Sequence, residues 1–182
     1  MNVTGKLLLA VPALSDPNFH QSVLFIIDHA PAGAFGVILN RPTTLDVVDP
    51  LPGAAASEPA VVFEGGPVQR EGALAIATVG GEVEGWSPLP EAPGSDLGLV
   101  DVERAMSEGW PATRQLRIFS GHAGWSAGQL DSELADDGWV AVSARGEDLF
   151  TSTPSTLYQD VLLRAGTSPL LAEFLPDDPR LN

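Results

Sequence analysis

The segment Phe119-Ser120-Gly121-His122-Ala123-Gly124-Trp125-Ser126-Ala127-Gly128-Gln129-Leu130 decides our reading of the chain, because it has the pattern of a strand, a glycine-rich turn and a helix. Its apolar beginning suits a buried strand, and the three glycines predict that this strand ends near Phe119. Ser126 and Gln129 have the spacing of a capping box, in which a hydroxyl and an amide satisfy backbone donors at a helix start. We therefore predict a helix that begins at Ala127 with Ser126 as its N-cap.

Length and composition predict one globular folding unit. The chain has 182 residues, of which 44% are hydrophobic and 18% charged, so we expect a single domain over residues 1–182. It contains no uninterrupted apolar segment long enough to span a bilayer, and its first residues lack the apolar core of a signal peptide. The sequence thus predicts a soluble, cytoplasmic protein without membrane contact.

Charge and cysteine content exclude several classes of function. The 24 acidic residues against nine Lys and Arg give a net charge of -15, which repels phosphate backbones, and the basic residues are scattered. Direct nucleic-acid binding is therefore not expected. The absence of cysteine excludes disulfides, cysteine-ligated iron-sulfur clusters and thiolate zinc sites.

The rest of the chain predicts more strands than helices, in no regular alternation. We expect one antiparallel hairpin from residues 22–29 and 35–39, another from residues 61–63 and 73–79, and a surface loop over residues 80–94. Short helices are predicted after Asp16-Pro17, after Asp101 and after Thr153-Pro154, the last with a core stripe of Leu157, Tyr158, Val161 and Leu162. This order favours an α+β fold with a mixed or antiparallel sheet.

Several short motifs, taken in order, make the chain resemble the AlgH family, also called YqgE-like, over nearly its whole length. They are Asp16-Pro17-Asn18-Phe19, Ser22-Val23, Asp28-His29, Gly33-Ala34-Phe35-Gly36, Asn40-Arg41-Pro42, Gly65-Gly66-Pro67 and the stretch from Trp125 to Glu133. The resemblance implies a bifurcated β-sheet folded into a pseudo-barrel with flanking helices. It implies no established reaction, and the label of transcriptional regulator that members carry has no mechanism attached to it.

The chain departs from the usual family residue at four positions. His122 stands where the family usually has Tyr, Gln21 where it has Arg, Asp28 where it has Glu, and Tyr158 where it has Trp. The candidate binding surface is therefore drawn from other positions, most of which match the family: Asn18, His29, Asn40, Arg41, Gly65, Gly66, Gly124, Trp125, Ser126, Gly128 and Gln129.

Each of these positions also has a purely structural interpretation. The glycines permit tight turns or close packing, and Trp125 is more typical of a core than of a ligand platform. Asn40 and Arg41 close a strand, and the Arg41 guanidinium can pair with a carboxylate of the chain or with that of a ligand. The sequence leaves both pairings open.

The motif Gly124-Trp125-Ser126-Ala127-Gly128 matches the Gly-x-Ser-x-Gly pattern of a hydrolase nucleophile. In that hydrolase fold the acid and the histidine follow the serine, whereas His20, His29 and His122 all precede Ser126. We therefore assign no catalytic residue. The three histidines lack the spacing of metal ligands, so neither a metal nor another cofactor is predicted.

Two functions remain after these exclusions. The first is a non-enzymatic binding or regulatory protein that acts through a protein partner or a small anionic metabolite. The second is a hydrolase or transferase for a small anion, with the glycine-rich segment as its site, His29 or His122 as its base and Ser126 as its nucleophile. Backbone N–H groups at the start of the predicted helix would hold the anion.

Overall fold

The computed structural model describes residues 1–11, 14, 16–89, 91–94 and 96–166 of the chain. Within these ranges the chain forms ten strands and four short helices. The strands are β1 (Lys6–Ala10), β2 (Val23–Ala30), β3 (Gly33–Ile38), β4 (Pro42–Asp46), β5 (Val61–Glu64), β6 (Val68–Thr78), β7 (Trp86–Pro88), β8 (Leu97–Val100), β9 (Gln115–Ser126) and β10 (Trp139–Ser143). The helices are α1 (Val102–Glu108), α2 (Gln129–Ala135), α3 (Gly146–Leu149) and α4 (Leu157–Arg164).

The ten strands belong to one curled sheet. Along its main path the order is β10-β1-β2-β3-β9-β6-β8-β7, while β4 and β5 form a branch attached to β9. All these pairs are antiparallel except β5 with β9, which is parallel. The sheet curls into a half-barrel with a few helices beside it, so the predicted α+β fold with a bifurcated sheet is confirmed.

The fork in the sheet lies on β9. In its first half, Phe119 is opposite Phe63 of β5 on one side and Leu74 of β6 on the other. From Ala123 onward the side that faced β5 pairs with β3 instead. The branch of β5 and β4 therefore separates from β3 just after Ser120, the last β9 residue in register with β5.

Apolar side chains fill three core clusters around the sheet. The largest contains Leu157, Val161 and Leu162 of α4, which confirms the apolar stripe predicted for that helix. A second cluster includes Leu130 of α2, and a third includes Ala105 of α1. Each helix longer than one turn thus buries one face against the sheet, as an amphipathic helix in a globular domain does.

Two local predictions are confirmed. Strands β2 and β3 form the predicted antiparallel hairpin, with Leu24 opposite Ile38 and Ala30 opposite Gly33. Helix α1 begins after Asp101, whose side chain accepts a hydrogen bond from the backbone N–H of Arg104 at 3.0 Å. In both places, residues close in the sequence satisfy one another's backbone groups.

Other local predictions are wrong, chiefly because pairing with a distant strand overrides the local pattern. The second hairpin does not form, since β9 lies between β5 and β6. Residues 80–94 are not all loop, because β7 pairs with β8. Residues 17–21 form turns and a bend rather than a helix, and α4 begins at Leu157 instead of Pro154.

Candidate functional site

The glycine-rich segment lies at the junction of β9 and α2, and its structure corrects the prediction. The strand does not end near Phe119 but continues to Ser126, because residues 123–126 pair with β3. Helix α2 begins at Gln129 rather than Ala127. Its N-cap is Gly128, which has the left-handed φ of 72° that glycine adopts readily, so Ser126 is not the cap.

The polar groups at this junction bond to one another. Gln129 Oε1 accepts the backbone N–H of Ser126 at 3.0 Å and the Ser126 hydroxyl at 3.1 Å. The Gln129 amide nitrogen donates in turn to Glu133 Oε1 at 3.0 Å. The glutamine half of the predicted capping box is therefore present, whereas the Ser126 hydroxyl donates to Gln129 rather than accepting from the helix backbone.

Glu133 connects this network to two buried tryptophans. Its Oε2 accepts from the indole nitrogens of Trp125 and Trp139, each at 2.9 Å. The two indoles are only 6% and 3% exposed, so their N–H groups depend on a protein acceptor. Trp125 is a core residue, and the motif from Trp125 to Glu133 fastens α2 to β9 and β10.

Glu133→Ala is expected to lower the free energy of unfolding by about 2–3 kcal/mol, because two buried indole donors lose their acceptor. Ser126→Ala is the control from the same network, since its hydroxyl is exposed, and we expect a change below about 0.5 kcal/mol. Urea unfolding followed by tryptophan fluorescence measures both. Equal losses in the two variants would contradict the role assigned to the buried indoles.

The turn before β2 packs against this junction. Phe19 stacks on Trp125 with ring centroids 6.2 Å apart and meets Trp139 edge-on at 5.4 Å. Its neighbour Asn18 is exposed, and both its backbone N–H and its side-chain amide donate to Asp16 Oδ1, at 2.8 and 3.0 Å. Asn18 thus shapes the turn that carries Phe19 into the core.

Asn40 and Arg41 bind the other end of the same turn. Asn40 Oδ1 accepts the backbone N–H of Val23 at 3.0 Å, and its Nδ2 donates to the carbonyl of Gln21 at 2.9 Å. Arg41 donates to the carbonyl of His20 at 3.4 Å and forms no ion pair with any carboxylate that the structure describes. The side-chain amide of Asn40 is therefore committed to the fold at both its oxygen and its nitrogen.

Gly65 and Gly66 lie where the sheet forks, against the backbone of β9. A Cβ atom on Gly65 would lie 2.3 Å from the carbonyl oxygen of Gly121, and one on Gly66 would lie 2.3 Å from the carbonyl carbon of His122. The N–H of Gly65 also donates to the carbonyl of Ser120 at 2.9 Å. Both glycines permit a close approach of two backbones, which is the structural interpretation of their motif.

His29 faces α2 from the end of β2. Its Nδ1 accepts the backbone N–H of Val3 at 3.3 Å, and its Nε2 lies 3.4 Å from Asp131 Oδ2. The side chain is 7% exposed and lines an open depression of about 360 Å³ beside Met1 and Asn2. Both ring nitrogens are thus engaged, and the imidazole holds the first residues of the chain against the sheet.

Among the described residues, the hydrogen-bond partner of the Ser126 hydroxyl is Gln129 and not a histidine. His122 and Ser126 point to the face of β9 opposite Trp125, since side chains alternate along a strand. The two residues are four positions apart along the strand, which corresponds to about 13 Å at about 3.3 Å per residue. The His122 ring instead meets Phe35 edge-on at 6.2 Å. In the part of the chain that the structure describes, no histidine bonds to Ser126.

The arginines are largely used within the fold. Among the described residues, five arginines form ion pairs with carboxylates: Arg70, Arg104, Arg114, Arg145 and Arg164. Arg117 was not singled out by sequence reasoning, although a lone arginine in an apolar strand is a signal that could have found it.

Arg117 is 2% exposed and donates to three backbone carbonyls, those of Glu58 and Pro59 at 3.2 Å and that of Thr151 at 2.9 Å. Its guanidinium also lies over the ring of Phe63, 4.3 Å from the centroid. Burial lowers the pKa of Arg117 to about 10, so the side chain is still charged at neutral pH. The residue therefore joins β9 to two loops.

Two general features of the described residues bear on function. No three His, Cys, Asp or Glu side chains among them come together in an arrangement that could hold a metal ion. None of the helices formed by these residues is both long and apolar enough to cross a membrane.

Comparison with known proteins gives a consistent result. A family model described as AlgH-like matches residues 7–170. The chain is 42% identical to a UPF0301 protein of Streptomyces avermitilis and 41% identical to one of Thermobifida fusca, in each case over the whole chain and 96% of the relative. A crystal structure of a Corynebacterium diphtheriae protein has a TM-score of 0.80 at 26% identity, covering 93% of this chain and 90% of that one. The solution structure of Pseudomonas aeruginosa AlgH has a TM-score of 0.71 at 26% identity, covering 98% and 96%.

Proposed function

The chain belongs to the AlgH-like family, and we propose that it is a non-enzymatic, cytoplasmic binding protein that acts through a protein partner. The observation that carries this proposal is the internal use of the motif's polar groups. Ser126, Gln129 and Glu133 bond to one another and to two indoles, so these polar groups are committed to bonds within the described part of the fold. If the chain has a regulatory role, that role depends on the function of the protein that it binds.

A protein partner is favoured over a small anionic metabolite by the distribution of positive charge. A small anion is usually held by guanidinium or ammonium groups that converge on one pocket. Among the described residues, five arginines are paired with carboxylates, Arg117 is buried among carbonyls, and Arg41 donates to the carbonyl of His20. Arg145 and Arg164 line one groove, but each already has a carboxylate partner. With a net charge of -15 the surface repels small anions at long range as well.

Hydrolysis or group transfer is the second candidate, because the Gly-x-Ser-x-Gly match places Ser126 at an exposed strand end. Against it, the Ser126 hydroxyl already donates to Gln129, and His122 lies about 13 Å away along the strand. A serine becomes a nucleophile only when a base removes its proton. The geometry therefore favours binding over catalysis.

The proposal predicts that the purified protein hydrolyses neither p-nitrophenyl acetate nor p-nitrophenyl phosphate faster than buffer, and that His122→Tyr behaves identically. Absorbance of released nitrophenolate is the readout, with urea unfolding to match the stability of the two proteins. Tyr is flat and can hydrogen-bond but is a poor base at neutral pH, with a pKa near about 10. Wild-type turnover that disappears in His122→Tyr at unchanged stability would establish an enzyme instead.

A further inference from the structure

Among the described residues, strand β10 is the last strand at one end of the sheet and has an open edge. It pairs with β1 alone, from Trp139 opposite Ala10 to Ser143 opposite Lys6, and it is the first strand in the sheet order. In an edge strand, backbone N–H and C=O groups on the outer side have no partner strand. No hydrogen bond from the outer side of residues 140–142 to another described residue is present.

The composition of β10 distinguishes it from the other free edges of the described sheet. Strand β4 begins with Pro42 and ends with Asp46, and β7 ends with Pro88. Proline and charged residues are common devices that prevent an edge from pairing with another chain. Strand β10 has the sequence Trp-Val-Ala-Val-Ser and contains neither, so nothing in it prevents the addition of another strand.

A groove of about 500 Å³ runs along this edge. Its walls are four consecutive residues of β10 and the end of α4, together with Arg145: Val140, Ala141, Val142, Ser143, Arg145, Arg164 and Ala165. In a chain with 24 acidic residues, the only charged side chains among these described walls are two guanidinium groups. The groove thus combines a short apolar strand edge with two guanidinium groups, each of which has a carboxylate partner outside the groove walls.

The two arginines of the groove differ in their freedom to bind. Arg164 is 19% exposed and holds Asp148 through two hydrogen bonds of 2.9 and 2.8 Å, while its buried Nε has no acceptor among the described residues. Arg145 is 58% exposed, and its ion pair with Glu147 is 3.4 Å long with the glutamate 75% exposed. An exposed pair of this kind contributes little, so Arg145 can exchange Glu147 for another carboxylate.

We propose that the β10 groove binds an extended segment of a protein partner, which adds to the sheet as a further strand and places a carboxylate against Arg145. This inference rests on the proposed function and names the surface through which it acts. Backbone hydrogen bonds to the edge supply affinity, and alternate side chains of the segment contact Val140 and Val142. An acidic side chain fixes the register because it meets a positive group in an otherwise acidic protein.

A second copy of this chain is a less suitable occupant. Two copies would each bring a net charge of -15, and their repulsion opposes association at low ionic strength. The edge is also only five residues long, so the contact is small and of the transient class. The expected complex is therefore weak, in the micromolar range, and formed with a different protein.

The proposal can be tested by a selection of random dodecapeptides, displayed on phage, for binding to the full chain. Enriched peptides should carry an Asp or Glu within an extended apolar segment, and they should shift the amide resonances of residues 140–145 in a titration. Arg145→Gln should weaken the binding of a resynthesised peptide by about tenfold. The matched control is Arg70→Gln, because Arg70 is also 58% exposed in a 3.4 Å ion pair, and it should leave binding unchanged.

Three results would overturn the proposal. They are a selection that enriches nothing over wells without protein, equal weakening by the two substitutions, and slow hydrogen exchange at the outer amides of β10 before any peptide is added. The last result would show that the edge is already covered, by the chain itself or by a second copy. These outcomes concern the groove alone, whereas failure of the proposed function would appear as substrate turnover.

Discussion

Gly66→Ala is expected to destabilise the protein by more than about 3 kcal/mol. The added Cβ would lie 2.3 Å from the carbonyl carbon of His122 and 2.4 Å from the amide nitrogen of Ala123, so two backbones must separate. Gly66 also has a φ of 151°, a backbone conformation that residues other than glycine rarely adopt. Because the atoms that the Cβ would meet belong to the backbone of β9, the strain cannot be relieved by moving a flexible side chain.

Gly124→Ala is the matched control, since Gly124 lies on the same strand as His122. A Cβ on Gly124 would meet its nearest neighbour, a methyl group of Val68, at an ordinary distance of 3.7 Å, and Gly124 has no positive φ. We expect a change below about 1 kcal/mol. Urea unfolding of both variants measures the difference, and similar losses at the two positions would show that the fork does not depend on close backbone contact.

Arg117→Met is expected to cost about 4 kcal/mol, which is the larger of the two side-chain effects predicted. Methionine fills much of the volume but leaves the carbonyls of Glu58, Pro59 and Thr151 without their donor. Arg117→Lys should lose part of this stability, because an ammonium group cannot reproduce the planar fork that reaches three carbonyls.

Arg114→Met is the control for this prediction, because Arg114 is 68% exposed and its ion pair with Asp96 spans 3.8 Å. Its expected effect is below about 0.5 kcal/mol. Denaturant unfolding at neutral pH, where both guanidinium groups are charged, compares the four proteins. If Arg117→Met were as stable as Arg114→Met, the three carbonyl bonds would contribute nothing to the fold.

The elements that the sequence predicted correctly are those stabilised by near neighbours. The β2–β3 hairpin joins strands only two residues apart, and Asp101 caps a helix that begins at the next residue. The stripe of Leu157, Val161 and Leu162 follows from helical periodicity alone. In each case the interacting groups lie within one short window of sequence.

The elements that the sequence missed depend on distant partners. Residues 61–63 and 73–79 look like a hairpin, but β9 begins more than 35 residues further along the chain and inserts between them. The glycines after Phe119 predict an end to the strand, yet pairing with β3 keeps the chain extended to Ser126. The local sequence of β9 does not indicate that it pairs with β6 on one side and with β5 and then β3 on the other.

In the candidate site, too, the sequence identified the residues more readily than the distant groups that they contact. Family motifs identified Trp125, Gln129, Asn40 and His29 from the sequence, and the structure reveals hydrogen bonds within the fold for all four. The role of Gln129 as the acceptor of the Ser126 N–H follows from the predicted capping box. The roles of Trp125, Asn40 and His29 could not be predicted, because their partners lie in other elements. Arg117 was missed for a related reason, since its three acceptors come from loops that no pattern places beside β9.

The central claim is that the Gly-x-Ser-x-Gly segment builds the fold and does not activate Ser126. The most direct test is intact-mass spectrometry after incubation with a fluorophosphonate, which forms a covalent adduct with serines activated as nucleophiles. We predict that the mass of the wild-type protein remains unchanged under conditions that fully label a serine protease. A single adduct that maps to Ser126 and is absent in Ser126→Ala would contradict the account.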